Sequence, residues 1–307
     1  MLADRSVAEE QATAAAMRPS AVGGRIGVFL ELGKARLCAA VVLTAGVGFV
    51  LAMRGGVEWV GLAWTLLGTW LAGVGANALN QWWEAERDAG MVRTRGRPLP
   101  TGRVTRGAAL AFGLALGLAG PLVLVLATNT VSGGLALAAV VLYVVVYTPL
   151  KVRTPLCTLV GAVVGAIPPL IGWSAACGRL EARAWIIAGV LFLWQIPHSL
   201  AFAWLWREDF ARGGFRMLPV VDGQEHLAGC VIVVYTLVLV PLAAMLTLAG
   251  VASWTYGLGS LVLGSGLVAL SAGLERQRTH AAARRLFVGS LVYLPLLLGL
   301  MVAGSVR

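Results

Sequence analysis

Along the chain, polar residues collect into short clusters separated by nine apolar runs. The runs lie at about 36–53, 59–80, 107–127, 133–150, 156–176, 184–206, 228–250, 254–274 and 286–304. Each is close to the roughly 20 residues that cross a bilayer core as a helix. None alternates polar and apolar positions as a barrel strand does. Backbone polar groups find no partners in hydrocarbon, so the runs are predicted to be helices. They are rich in Gly, Ala, Leu and Val, and the 39 glycines suit helices in close contact. The fold class expected is an all-α, nine-transmembrane-helix bundle.

Composition agrees. The 307 residues are 59% hydrophobic and 12% charged, about half the charged fraction of a soluble domain. The net charge of +10 would suggest nucleic acid in a soluble protein. Here the bases sit in short loops between apolar runs, which indicates topology and anionic ligands or lipids, and no nucleic-acid partner. Alternate loops and the N-terminal segment hold 20 of the 24 Lys and Arg residues. The positive-inside rule then places the N-terminus in the cytoplasm and the C-terminus outside. Twelve of the 14 acids share that basic side, although acids contribute little to orientation. Mixed acid and base on one rim points to a site at the cytoplasmic face. Residues 1–26 are polar, carry acids as well as bases and lack an apolar core, so they are expected to form a flexible cytoplasmic tail rather than a signal or transit peptide. Cys38, Cys157, Cys177 and Cys230 have no CxxC spacing and suggest neither disulfide nor zinc.

The chemistry gathers at the end of the second run. Asn80, Glu84 and Asp88 are spaced i, i+4, i+8 and form one stripe on a helix. Like charges one turn apart repel, and a helix C-terminus disfavours carboxylates. A divalent cation reverses both penalties, and Mg²⁺ is commonly held by one or two carboxylates plus substrate phosphates. Arg93, Arg95 and Arg97 follow directly and match phosphate oxygens. The competing reading is a solvated helix end with a topogenic loop. Tyr147 and Lys151, one turn apart, serve equally as membrane-surface anchors or as a diphosphate clamp. Gln195 and His198 lie in mid-membrane, where polar groups are expensive. Glu208 and Asp209 stand beside Arg207, Arg212 and Arg216 as a second acid–base cluster. Pro168-Pro169 is expected to break or kink the fifth run.

Three stretches, NALNQWWEAERDAGMVRTRGRPLP, YTPLKVRTPLCTLVGAVVGAIPPLIGW and LFLWQIPHSLAFAWLWREDFARGGFRMLPV, resemble the haem O synthases (protohaem IX farnesyltransferases) among the UbiA-type intramembrane prenyltransferases. The resemblance runs from about residue 27 to the C-terminus. It implies one prenyltransferase domain over 27–307, built around a central cavity with a cytoplasmic cap, in a cell (inner) membrane. It implies Mg²⁺-dependent transfer of farnesyl from farnesyl diphosphate to a vinyl group of haem b, which is substrate rather than cofactor, with water addition giving haem O. It also implies membrane lipid around the chain and haem A synthase or terminal-oxidase assembly downstream. By motif position, Asn80, Glu84 and Asp88 match metal–diphosphate residues, and Arg93, Arg97 and Lys151 match diphosphate-binding bases. Glu208 and Asp209 match the second acidic motif, and His198 a haem-binding position. Gly213 stands where the superfamily's second motif carries another Asp, which leaves a second metal short of a ligand. The residues leave other readings open. A sister prenyltransferase would act on a quinone precursor or chlorophyllide, a transporter would need inverted repeats, and a non-catalytic haem-binding assembly factor would release no diphosphate.

Overall fold

A computed structural model of the chain describes residues 24–53, 55–223 and 226–305. Most of the expected N-terminal tail, residues 1–23, lies outside the described residues, and a short helix, Arg25–Leu32, begins inside the segment assigned to it. Among the described residues nine helices are long and apolar enough to cross a membrane. They are Ala35–Ala52, Trp59–Gly90, Arg106–Ala127, Thr130–Leu150, Cys157–Cys177, Ala182–Leu205, His226–Leu248, Trp254–Gln277 and His280–Ala303. These spans are numbered first to ninth below. No strand occurs among the described residues beyond a single bridge between Ala252 and Ser305.

Three spans differ from expectation in ways that matter. The second continues ten residues past the apolar limit at Asn80, giving 32 residues and a length of about 48 Å at 1.5 Å per residue. That exceeds a hydrocarbon core of about 30 Å, so its acidic end projects into the interface. The ninth begins at His280 rather than 286, placing Arg284 and Arg285 inside the helix. The fifth span runs as one helix through Pro168 and Pro169, so of the two expected outcomes, break or kink, the break does not occur. Both prolines are buried within that helix, where packing against neighbouring spans accommodates their missing amides.

Helix starts follow local chemistry. The Glu58 carboxylate accepts from the amides of Val60 and Gly61, Thr105 caps the third span, and Thr279 caps the ninth. Asn129 caps the fourth span and also donates to the Ser174 carbonyl at 2.7 Å, tying the fourth span to the fifth. Small residues set the closest approaches. A side chain on Gly75 would strike the backbone of Gly117, and one on Gly172 would strike the Ala45 carbonyl. These contacts join the second span to the third and the first to the fifth. The largest apolar core surrounds the sixth span, with Ile187, Leu200 and Trp204 packed toward the seventh and ninth.

Candidate active site

The second span's extension carries the acidic stripe to a single polar cluster. Asn80, Glu84 and Asp88 are all buried, with Asp88 fully so. The Lys151 ammonium pairs with Glu84 at 2.5 Å, and the Arg97 guanidinium donates to Asp88 Oδ2 at 2.6 Å. The Asn80 amide donates to Thr148 Oγ1 at 3.1 Å, and Lys34 Nζ lies 3.4 Å from Asn80 Oδ1. Four bases, Lys34, Arg93, Arg97 and Lys151, therefore surround Glu84 and Asp88. The four bases outnumber the two acids, leaving the cluster net positive, and beyond the ion-paired Glu84 Oε1 two of its buried atoms lack partners. Asp88 Oδ1 and Arg93 Nε are buried without a hydrogen-bond partner among the described residues. Buried orphans of this kind are costly, and here one wants a cation and the other an anion.

A stretch of π-helix, Leu142–Tyr147, turns the end of the fourth span toward this cluster. It stacks Tyr143 on Tyr147 with centroids 5.3 Å apart and leaves the Lys151 ammonium 5.0 Å from the Tyr147 ring. The expected Tyr147–Lys151 juxtaposition is thus present. Phe215 covers the other side of Lys151 at 5.3 Å.

Arg93 sits in an aromatic cage, 5.3 Å from Phe202, 5.9 Å from Trp206 and 5.6 Å from Phe210. Burial, followed by the charge of Arg97, lowers its pKa to about 10, with Asp209, Asp88 and Glu84 pulling it back up. It remains cationic at neutral pH. Asp209 fixes the loop that carries it: the amides of Val92 and Arg93 donate to its two oxygens at 2.7 and 3.0 Å. Glu208 is not brought into the cluster. Its side chain is 76% exposed and faces Arg212 at 3.8 Å.

His198 lies deeper, stacked between Trp194 at 4.6 Å and Phe287 at 5.0 Å. Its Nδ1 is 2.9 Å from Ser290 Oγ, and that hydroxyl donates its one proton to the Phe287 carbonyl at 2.7 Å. Nδ1 must then carry the proton and donate, which leaves Nε2 with a free lone pair. Phe202 touches Phe287 at 5.5 Å, so aromatic rings run without interruption from Arg93 to His198. Gln195, the other mid-membrane polar residue, donates to Ser199 Oγ at 3.0 Å.

Sequence reasoning missed Lys34, which counted only as a topogenic base. It stands in a left-handed backbone conformation (φ 49°) between the short first helix and the first span. Loss of water contact, then the charges of Arg97 and Lys151, lower its pKa to about 7 against the pull of Glu84 and Asp88. The one available signal was a base inside the Gly33-Lys34 break between two apolar stretches. Thr148 was also missed, because a threonine in YTPLK carries no charge pattern. All four cysteines are free thiols.

The donor set can hold a hard cation: carboxylate oxygens of Glu84 and Asp88 and the Asn80 amide oxygen are oxygen ligands of the type magnesium prefers, and the orphaned Asp88 Oδ1 has room for one more partner. A nine-span helical bundle with such a cluster at one membrane face is the arrangement of an intramembrane group-transfer enzyme. The UbiA prenyltransferase family model matches residues 41–292, and the chain belongs to that family.

Within it, the chain is 40% identical over 282 residues to "Protoheme IX farnesyltransferase" of Solibacter usitatus, covering 89% of this chain and 97% of that protein. It is 43% identical to the protein of the same name from Anaeromyxobacter sp., over 90% of this chain and 93% of that one. The chain spans 61% of the length of the human mitochondrial relative, at 38% identity. Solved structures share the fold. A UbiA homologue from Aeropyrum pernix superposes with a TM-score of 0.69 at 18% identity, over 87% of this chain and 97% of that one. One from Archaeoglobus fulgidus, bound to GPP and Mg²⁺, gives 0.63 at 16% identity, over 89% and 99%.

Proposed function

We propose that this chain transfers the farnesyl group of farnesyl diphosphate to a vinyl group of haem b, with addition of water, yielding haem O and diphosphate. Relatives at about 40% identity that bear the name protoheme IX farnesyltransferase support the substrates. The observation that carries the chemistry is the buried cluster in which Asp88 Oδ1 and Arg93 Nε stand unsatisfied amid four bases. An allylic diphosphate ionises when its leaving group is stabilised, and prepositioned positive charge in a site shielded from water does that. Asn80, Glu84 and Asp88 would hold Mg²⁺, which when bound offsets the charge of the departing diphosphate. A second cation drawing on Asp209 and Glu208 would require both to leave the contacts described, so the proposed site holds one.

Arg93, Arg97, Lys151 and Lys34 bind the diphosphate oxygens. Arg97 and Lys151 exchange their carboxylate partners for phosphate, while Asp209 keeps Arg93 oriented by holding its backbone. Phe202 and Phe287 offer ring faces to the developing allylic cation on its way toward the acceptor. His198 presents Nε2 to haem, with Ser290 fixing its tautomer. The surrounding spans exclude water until the new carbon–carbon bond forms. The membrane reading is a cell inner membrane with the N-terminus and the site cytoplasmic, by the distribution of basic residues. The haem product then feeds an enzyme of haem A or terminal-oxidase assembly.

The test is direct. Purified protein in lipid nanodiscs, given farnesyl diphosphate, magnesium and haem b, should yield a product of haem O mass. Prenylation of an aromatic quinone precursor with haem b untouched would overturn the acceptor assignment. Haem binding with no diphosphate release would overturn catalysis altogether.

A further inference from the structure

The eighth and ninth spans part along one outer side to leave a groove. Its apolar stretch, about 300 Å³, is walled by Leu263, Gly266 and Leu267 on one helix and by Val292 and Leu296 on the other. At Leu270 and Gly289 it widens into a cleft of about 800 Å³ lined at its far end by His280, Arg284 and Arg285. Val292 and Leu296 are 53% and 50% exposed, so the groove faces the surrounding membrane. None of this belongs to the cluster around Asp88.

The basic end is electrostatically one-sided. Both arginines are exposed, and neither makes an ion pair or hydrogen bond among the described residues. The nearest carboxylate along the eighth span, Glu275, is engaged by His226 and Arg278. The ninth span begins at His280 with no acid in its first turn. A helix N-terminus is the positive end of its dipole, so Arg284 and Arg285 add like charge to like. An anion relieves both. The groove's length decides which anion. From Arg285 to Leu296 is eleven residues of helix, about 16 Å at 1.5 Å per residue. That is half of a hydrocarbon core of about 30 Å, one leaflet. A basic end followed by an apolar channel one leaflet deep matches a single lipid molecule, head to tail.

We infer that this groove binds an anionic phospholipid, its phosphate at Arg284 and Arg285 and one acyl chain along Leu267, Gly266 and Val292. The bound lipid lies in the leaflet on the active-site side, because the second and eighth spans end, and the ninth begins, at the same face of the bundle.

The full chain in mild detergent, titrated with phosphatidylglycerol or phosphatidylcholine under native mass spectrometry, tests this. The unaltered protein should retain phosphatidylglycerol about 30-fold more strongly than phosphatidylcholine, the scale of two bases near a charged surface. Arg284→Gln with Arg285→Gln should abolish that preference with no change in melting temperature. Gly266→Leu fills the channel, since nothing lies within 4 Å of the added Cβ, and should weaken both lipids alike. An undiminished preference in the double arginine variant, or none in the unaltered protein, overturns the inference. So does normal lipid retention in that variant joined to a raised KM for haem b, which would assign the arginines to the acceptor.

Discussion

At Lys34 a single titration should control donor binding. Its ammonium, with a pKa lowered to about 7, is charged below that pH and neutral above it. If it holds the diphosphate only when charged, kcat/KM for farnesyl diphosphate should fall as pH rises through about 7, since that ratio reports the free enzyme's groups. Lys34→Arg should remove this limb, because guanidinium stays charged throughout. Asp88→Asn tests the cation site. With a neutral amide facing Arg97, turnover in a haem O assay should drop by roughly 100-fold or more, while membrane insertion and yield stay near normal. The proton inventory at Ser290 gives a third outcome. Ser290→Ala removes the acceptor for His198 Nδ1 and frees the tautomer, so the KM for haem b should rise with the KM for farnesyl diphosphate unchanged.

At the scale of elements, the stripe of Asn80, Glu84 and Asp88 was legible because helical spacing put all three on one face, and the second span is helical through all of them. The nine spans were legible for the same reason: apolar length is a local property. What the sequence did not disclose came from contacts between distant segments. Asp209 carried a ligand's chemistry in sequence, yet its hydrogen-bond donors are amides more than a hundred residues away, with Arg212 more distant at 3.6 Å. Lys34 looked like one more topogenic base until the first span placed it against Asn80. The Pro168-Pro169 break failed as an expectation because tertiary packing can absorb missing amides that a local rule counts as fatal. The loop held by Asp209 makes a prediction at this scale. Asp209→Asn gives up one of the two acceptors, and proteolysis between Met91 and Thr105 should accelerate while the helical content by circular dichroism is unchanged. Packing makes another. Gly75→Leu sets a side chain against the Gly117 backbone, and overpacking of this kind costs about 1–3 kcal/mol or more, to be read as a lower melting temperature in detergent.

For the whole molecule, the arrangement divides labour between two solvents. Uncharged helices supply walls, and nearly all ionic groups of the site hang from one end of the bundle. Function was more legible than geometry here, since three motifs in order carry the family while their mutual distances depend on how nine spans pack. The aromatic column from Arg93 to His198 could not be read from sequence, because Phe202 and Phe287 come from different spans and meet only in the fold.

The second helix overshoots the hydrocarbon by several turns, and this fixes where each fragment of the donor ends up. In the proposed reaction, cleavage near its tip would leave the farnesyl group on the greasy side of the interface and a multiply charged diphosphate on the aqueous side. The proposed reaction's two products would differ sharply in solubility, so the boundary itself would oppose their recombination.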